Sequence, residues 1–144
     1  MMKLRELMTK DPIRLHPDEN AAVAARAFQR YNIGAVPVCG SDGHICGILT
    51  DRDLVTRCLA AGKDPRYTKI RDMMTTRLVT APPDMDAAEA AALMGSAQIR
   101  RLPVLENGRL CGMVSLGDLA LSRETEGEAA DALTQISSNL TSRP

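Results

Sequence analysis

The sequence contains almost no aromatic side chains. Its 144 residues include no tryptophan, one phenylalanine and two tyrosines, which are Phe28, Tyr31 and Tyr67. Proteins that hold single-stranded nucleic acid stack the bases on aromatic side chains, so the composition argues against that activity. A flat ring bound by this chain would have to be held by aliphatic side chains instead.

Net charge is also absent. The chain has 18 acidic and 18 basic residues, so its formal charge at pH 7 is zero. It therefore lacks the broad positive field that attracts nucleic acid or an anionic membrane. No apolar run is long enough for a membrane span or a signal peptide. We expect a cytoplasmic protein with no nucleic-acid partner and no membrane partner.

The cysteines show no metal-binding spacing. No Cys-x-x-Cys pair occurs, and only His16 and His44 are available as further ligands. Reduced and mostly buried thiols are therefore favoured over a zinc site or a disulfide framework. We predict no metal site for the four cysteines, which are Cys39, Cys46, Cys58 and Cys111.

Catalytic signatures are missing as well. Neither histidine has a recognisable nucleophile and acid partner in the sequence. No Walker loop and no dinucleotide fingerprint appears. We predict no catalytic residue and no required cofactor, and we expect that the protein is not an enzyme.

The sequence does contain an internal repeat, which appears when the chain is compared with itself. A shift of 66 residues superposes segment 3–9 on segment 69–75 and Pro37-Val38 on Pro103-Val104. After one deletion in the next turn, a shift of 65 superposes segment 46–47 on 111–112 and segment 53–54 on 118–119. We predict a first repeat at 1–62, a linker at 63–68, a second repeat at 69–123 and a tail at 124–144.

Each repeat is predicted to fold as strand, helix, strand, strand, helix. We expect strands at 13–15, 36–39 and 45–50, and again at 78–81, 102–106 and 109–115. Asp18 and Asp84 are the expected N-caps of the first helices, and the second helices are expected at 52–59 and 117–123. The first helices show apolar faces of helical period, which consist of Ala24, Ala27, Phe28 and Tyr31, and of Ala90, Leu93, Met94 and Ala97.

One repeat of about 60 residues is too small to bury its helix faces alone. We therefore predict an α/β fold in which two β-α-β-β-α repeats pack about a pseudo-twofold axis. The tail lies outside the repeat. Thr125 and Glu128 have the spacing of a capping box, and we expect a partly helical tail that docks on the repeats or on a partner chain, with frayed last residues. Its apolar stripe consists of Ala129, Leu133, Ile136 and Leu140.

A hydroxyl residue followed three positions later by aspartate ends the last strand of each repeat, as Thr50 with Asp53 and as Ser115 with Asp118. This spacing is typical of a helix N-cap, which is the favoured explanation of the motif taken alone. The same geometry offers backbone N–H groups to a phosphate and a carboxylate to a ribose diol. One motif is able to play both roles, so the sequence leaves both open.

These motifs, in two full sets, resemble a tandem pair of CBS domains. This family is named after cystathionine beta-synthase and is also present in inosine monophosphate dehydrogenase and in the gamma subunit of AMP-activated protein kinase. The resemblance covers about residues 3–123 and rests on leading segments that end in Met-Thr, on the runs 32–38 and 98–104, and on two Gly-x-x-Thr/Ser-x-x-Asp motifs.

The resemblance implies a regulatory module that binds AMP, ADP or ATP in a cleft between its repeats, with S-adenosylmethionine or NAD as alternatives. By position it implies that Asp53 and Asp118 bind ribose and that Thr50 and Ser115 contact phosphate or ribose. It also places adenine beside the first strands, at Ile13, Arg14, Leu15, Val79, Thr80 and Ala81. Further implied contacts are Gly34, Ala35, Val36, Pro37, Arg52, Arg100, Arg101, Leu102 and Pro103.

The arginines among these residues are divided unequally between the repeats. Arg100 and Arg101 correspond to Gly34 and Ala35, whereas Arg52 lies in the first motif only. Solvated surface arginines are one explanation, and guanidinium groups that converge on a phosphate are the other. We predict two inequivalent sites.

The leading hypothesis is a small regulatory module without chemistry of its own. It takes an adenine nucleotide as its regulatory ligand, forms a homodimer as the resemblance implies, and signals to an unknown downstream protein. The alternative hypothesis is an interaction or scaffold module whose ligand cleft stays empty.

Overall fold

The computed structural model describes the backbone of residues 1–141 and the side chains of residues 1–138. The chain forms two compact units. The first-repeat unit consists of residues 13–78, and the second-repeat unit consists of residues 1–12 together with the described residues from 79 onward. The compact units therefore do not coincide with the sequence repeats, whose predicted boundaries at 1–62 and 69–123 stay a prediction.

The first-repeat unit packs helices against a two-stranded sheet. Helix α1 (Ala21–Tyr31) precedes strands β2 (Ala35–Cys39) and β3 (Ile45–Thr50), which pair antiparallel with a bulge after Val38. Helix α2 (Asp51–Leu54) follows directly and continues as a π-helical segment, Val55–Leu59. The core of the unit contains Leu15, Ala24, Phe28, Val36, Val38, Leu49, Ile70 and Met73.

The second-repeat unit contains a three-stranded sheet in the order β1 (Thr9–Lys10), β5 (Arg109–Ser115) and β4 (Arg101–Glu106). Helix α3 (Ala87–Ala97) precedes the hairpin of β4 and β5, and helix α4 (Leu116–Ala120) follows it. The hairpin turns on Asn107 and Gly108, whose φ angles of 53° and 78° confirm the predicted tight turn. The predicted α/β fold of two repeats and a C-terminal helix is confirmed.

The predicted N-caps of the first helices are wrong by two residues. Asn20 caps α1, since its side-chain oxygen accepts a hydrogen bond from the N–H of Val23 at 2.9 Å. Asp86 caps α3 in the same way, through the N–H of Ala88 at 3.1 Å. Asp18 and Asp84, the predicted caps, instead form ion pairs with arginines.

The predicted strands at 13–15 and 78–81 are also absent as strands from the described chain. Each segment makes a single parallel bridge, Leu15 to Val38 and Ala81 to Val104. Prolines follow both bridges, at Pro17 and at 82–83. Proline has no backbone N–H, so a ladder of hydrogen bonds does not continue through these positions.

The second helices and the apolar face of α1 differ from the prediction in detail. The helix expected at 52–59 begins one residue earlier, and the helix expected at 117–123 is α4, which ends at Ala120. On α1, Ala24 and Phe28 are buried as expected, but Tyr31 is 46% exposed. Tyr31 is the last residue of the helix, so its side chain extends past the core.

The leading segments are exchanged between the sequence repeats. The N–H of Leu4 donates to the carbonyl of Met85 at 3.0 Å, and the N–H of Ile70 donates to the carbonyl of Glu19 at 2.8 Å. Both Leu4 and Ile70 are fully buried. Each leading segment therefore completes the core of the unit formed by the other repeat.

Two glycines make room for the exchanged segments. A Cβ placed on Gly112 would lie 2.4 Å from Sδ of Met8 and 3.1 Å from the carbonyl oxygen of Thr9. A Cβ on Gly47 would meet Met74 in the same way, with its Sδ at 2.6 Å. The Gly residues that mark both motifs are thus packing positions for a methionine of the leading segment.

Helix α5 (Glu126–Thr141) covers α3 and α4 of the second-repeat unit. Ala129, Ala132 and Ile136 are buried, and a Cβ on Gly95 of α3 would lie 3.1 Å from Cα of Ala132. The predicted stripe is correct for Ala129 and Ile136 and misses Ala132. Its other members are Leu133, which is 45% exposed, and Leu140, whose side chain lies outside the described residues, as do the residues expected to be frayed.

None of the helices within the described residues is long and apolar enough to cross a membrane.

Candidate ligand sites

The Thr/Ser-x-x-Asp motif forms a complete capping box in both repeats. The N–H of Thr50 donates to Oδ2 of Asp53 at 3.0 Å, and the N–H of Asp53 donates to Oγ1 of Thr50 at 3.1 Å. Ser115 and Asp118 repeat both bonds at 2.8 and 3.1 Å. The structural role predicted for the motif is therefore confirmed, because it satisfies backbone donors at a helix start.

Free backbone N–H groups for a phosphate are not found at the first motif. The N–H of Asp51 donates to the carbonyl of Gly34 at 3.0 Å, and that of Arg52 donates to Oδ1 of Asp51 at 2.8 Å. Together with the capping box, these bonds occupy four successive donors, from Thr50 to Asp53. The expectation that this strand end offers its N–H groups to a phosphate is wrong here, because the chain itself satisfies them.

The two motif aspartates differ in the partner of Oδ1, the carboxylate oxygen that the capping box does not use. Asp53 is 8% exposed, and its Oδ1 lies 3.8 Å from Nε of Arg57. Arg57 is held in place, since it also donates to the carbonyl of Met73 at 3.0 Å. In the second repeat, Ser122 occupies the position that corresponds to Arg57, and Oδ1 of Asp118 has no ion pair with the described residues. The sequence analysis missed Arg57, although its spacing of four residues from Asp53 is a signal for a helical ion pair.

The segments predicted to contact adenine, 13–15 and 79–81, lie beside the predicted ligand segments 34–37 and 100–103, respectively. The N–H of Leu15 donates to the carbonyl of Pro37 at 3.0 Å, and the N–H of Ala81 donates to the carbonyl of Pro103 at 3.1 Å. Val36 and Leu102 are fully buried. Their side chains therefore belong to the cores, and only their backbone is available to a ligand. Ile13, Arg14, Val79 and Thr80 are exposed or half-buried.

A cleft of about 500 Å³ lies in the second-repeat unit. Arg100, Arg101 and Ser115, three of the predicted ligand residues, line one part of it. Helix α5 lines another part, with Glu126, Ala130 and Leu133. The sequence analysis missed this contribution of α5, because the tail has no counterpart in the repeat against which to compare it.

The equivalent region of the first-repeat unit is built differently. Gly34 and Ala35 replace the two arginines, and Arg52 is exposed. A shallower cleft in this unit runs along α1 and is lined by Val23, Arg26, Ala27, Gln29, Arg30 and Tyr31. None of these residues belongs to the predicted site, so this cleft is not the counterpart of the one lined by Arg100 and Arg101.

Three of the thiols are disfavoured as thiolates. Burial raises the pKa of Cys39, Cys46 and Cys111 above the usual value of a thiol. Cys46 and Cys111 donate to the carbonyls of Val38 and Val104, each at 3.3 Å. Among the described residues, no group of three or more histidine, cysteine, aspartate and glutamate side chains is arranged to hold a metal ion.

The repeat found in the sequence agrees with the comparisons with known proteins. The family model described as the CBS domain matches residues 4–60 and again residues 70–123. The chain belongs to the CBS domain family. A pair of CBS domains is a regulatory, ligand-binding module.

Relatives and solved structures support this assignment over most of the chain. Protein YlbB of Bacillus subtilis (strain 168), which is uncharacterised, is 44% identical over 138 residues, which are 95% of this chain and 93% of YlbB. The crystal structure of Hypoxic Response Protein I with two coordinated zinc ions is 32% identical and has a TM-score of 0.76, covering 83% of this chain and 97% of that one.

A third comparison concerns a structure with bound ligands. The CBS domain pair of protein MJ0100, solved in complex with 5-methylthioadenosine and S-adenosyl-L-methionine, is 26% identical. Its TM-score is 0.76, and the match covers 89% of this chain and 98% of that chain.

Proposed function

We propose that this CBS pair binds an adenosine-containing ligand and passes its ligand state to a partner protein. The observation that carries the proposal is the likeness over nearly the whole chain to the CBS pair of MJ0100, which holds two adenosine compounds. AMP, ADP and ATP are the proposed ligands, with S-adenosylmethionine and NAD as the alternatives. We further propose that the protein is a cytoplasmic homodimer.

Each proposed site residue is assigned to the part of the ligand that its chemistry suits. Oδ2 of Asp118 is used in the capping box, so its Oδ1 is the atom proposed to accept a ribose hydroxyl. Arg100 and Arg101 are the proposed phosphate ligands, because guanidinium groups donate several parallel hydrogen bonds to phosphate oxygens. The hydroxyl of Thr80 and the backbone beside it are proposed to face adenine.

We propose that the second-repeat site binds more tightly than the first-repeat site. In the first repeat, Arg57 already engages Oδ1 of Asp53, so a ribose hydroxyl would compete with an ion pair. That repeat also has Gly34 and Ala35 in place of the two arginines. Its remaining proposed contacts are the backbone at 13–15 and 34–37, the hydroxyl of Thr50 and the exposed Arg52.

Zinc is not proposed for this chain. The structure of Hypoxic Response Protein I contains two zinc ions, but the described residues of this chain do not bring three or more zinc-type ligands together. A structural zinc site requires four protein ligands in tetrahedral arrangement. The donor set therefore does not fit the ion of that relative.

An interaction or scaffold module without a ligand is the second candidate. It is favoured by the capping boxes, which explain both motifs without any ligand. The two candidates differ in one property, since only the first requires that an adenosine compound stabilises the folded chain.

Thermal unfolding with each of five compounds distinguishes them: AMP, ADP, ATP, NAD and S-adenosylmethionine. A ligand present at about 100 times its dissociation constant is expected to add about 2.7 kcal/mol to the free energy of unfolding. The variant Asp118→Asn keeps an oxygen for the capping box but loses the charge, so we expect a smaller stabilisation by the ligand than in the native chain. Asp53→Asn is the matched control and is expected to change the response less.

Two results would contradict the proposal. The first is that no compound raises the unfolding midpoint of the native chain. The second is that Asp118→Asn responds to every compound as the native chain does. Incubation of the native chain with the bound nucleotide, followed by chromatography, tests the proposed lack of catalysis, because any turnover would appear as a product.

A further inference from the structure

The cleft of the second-repeat unit has walls of two different origins. Arg100, Arg101 and Ser115 come from the repeat, whereas Glu126, Ala130 and Leu133 come from α5. Because α5 lies outside the repeated part of the chain, its side chains have no equivalent in the first repeat. Whatever α5 adds to the cleft is therefore specific to the second-repeat site.

Helix α5 is a fixed wall. Ala129, Ala132 and Ile136 are buried, and the hydroxyl of Thr125, also buried, donates to the carbonyl of Leu119 at 2.6 Å. The hydrogen bond joins Thr125, the residue before α5, to Leu119 of α4, and the buried side chains pack α5 onto the core of the unit. Glu126 comes directly after Thr125, so its backbone position beside the cleft is set by the same contacts.

The charged side chains of the cleft have no partner among the described residues. Within the described part of the chain, the side chains of Arg100, Arg101 and Glu126 form no hydrogen bond and no ion pair. Two guanidinium groups and one carboxylate are the charged groups of the lining, which gives it a net charge of +1 (two positive charges minus one negative charge). The attraction by the arginines and the repulsion by Glu126 both grow with the negative charge of the ligand, so Glu126 offsets part of the arginines' preference for a triphosphate.

We propose that α5 is a structural part of the second-repeat ligand site and that Glu126 weakens the preference of this site for ligands of high negative charge. This inference rests on the proposed function, because it requires that the second-repeat site binds an adenosine compound.

Glu126→Gln tests the role of the charge. Glu126 is exposed, so its replacement is expected to leave the fold intact. Calorimetric titration of the full chain at low salt is expected to show ATP binding about fourfold more tightly and AMP binding about twofold more tightly than in the native chain. Glu128→Gln is the matched control. Glu128 lies in the same helical turn, is exposed and does not line the cleft, so the ratio of the two affinities is expected to stay constant.

Ala130→Trp tests the role of α5 as a wall. Ala130 is exposed and lines the cleft, so an indole at this position fills the cleft without disturbing buried packing. We expect at least about a tenfold loss of affinity at one site for both AMP and ATP. Asp131→Trp places the same side chain on a part of α5 that does not line the cleft. This control variant is expected to bind the nucleotide at both sites.

The results separate this inference from the proposed function. If neither nucleotide binds the native chain, the proposed function fails and the role of α5 fails with it. If nucleotides bind the native chain but Glu126→Gln keeps the native ratio of affinities, the proposed role of Glu126 is overturned. If Ala130→Trp binds as tightly as Asp131→Trp, α5 is not a wall of the site.

Discussion

The two repeats share their motifs but differ in what surrounds them. In the second-repeat unit, α5 covers α3 and α4 and lines a cleft beside two arginines. In the first-repeat unit, the helical surface stays exposed at Tyr31, Val55 and Leu59. Corresponding motifs therefore lie in different chemical settings, which is why we propose that the second repeat holds the tighter site.

The largest expected effect concerns the arginines that only the second repeat has. The double variant Arg100→Ala, Arg101→Ala removes two proposed charge-assisted contacts to phosphate, and the affinity of AMP at the tighter site is expected to fall about 100-fold, or about 2.7 kcal/mol. Calorimetric titration measures this loss. Arg109→Ala, an exposed arginine of β5 in the same unit, is the control. Equal affinities in the two variants would remove the basis for distinguishing the repeats.

A stability effect of about 2 kcal/mol is expected at the interface of α3 with α5. Gly95→Leu places its Cβ 2.4 Å from Oε1 of Gln135 and 3.1 Å from Cα of Ala132, so α5 has to shift and the free energy of unfolding falls. Urea unfolding measures the change. Gln29 is the corresponding position of α1 and is exposed, so Gln29→Leu is expected to change stability by less than about 0.5 kcal/mol. Similar losses in both variants would show that α5 does not distinguish the repeats.

A smaller loss of stability, about 1 kcal/mol, is expected when the capping hydroxyl that both repeats share is removed. Thr50→Ala and Ser115→Ala each remove a hydroxyl that accepts the N–H of the motif aspartate, and loss of such a cap costs about 1 kcal/mol. We expect equal losses in urea unfolding without ligand. A loss in only one variant would show that the motif is structural in one repeat alone.

The smallest effect is the acid dependence of the ion pairs that hold the exchanged segments. Hydrogen bonds from Arg71 and Arg5 hold the pKa of Asp18 and of Asp84 below the usual value. Because the folded-state pKa is lower than that of the unfolded chain, the contribution to stability is present above the unfolded-state pKa of about 3.9. It is lost as the pH falls through the folded-state pKa.

Both pairs are exposed, so the expected effect is small. Urea midpoints measured between about pH 2 and pH 6 are expected to fall less steeply for Asp18→Asn and for Asp84→Asn than for the native chain. The two variants are expected to behave alike. An unchanged acid dependence in both variants would show that the pairs do not contribute to stability.

Much of the fold could be predicted because the same local preferences for turns and helix caps occur in both repeats. The hairpin at Asn107 and Gly108 and the capping boxes at Thr50 and Ser115 depend on neighbouring residues, and both were predicted correctly. The N-caps were assigned to Asp18 and Asp84 because a carboxylate in that position suits a helix start. These carboxylates are occupied by arginines about 50 and 80 residues distant in sequence, and local reasoning does not detect such partners.

The exchange of the leading segments could not be predicted for a related reason. Self-comparison shows that segment 3–9 is equivalent to segment 69–75, but equivalent segments fit either core equally well. The lining of the candidate cleft by α5 was missed because the tail has no counterpart in the first repeat with which it could be compared. The arginines at 100 and 101 were predicted as site residues, since their asymmetry is visible without a structure.

The exchanged segments mean that one repeat on its own does not contain a complete hydrophobic core. A fragment that ends at residue 62 lacks Ile70 and Met73, both of which are fully buried in the first-repeat unit. If a second molecule supplied the equivalent segment, a polypeptide with a single repeat would fold as it dimerised. Gene duplication and fusion would turn that exchange between two molecules into an exchange within one chain, in which folding no longer depends on protein concentration.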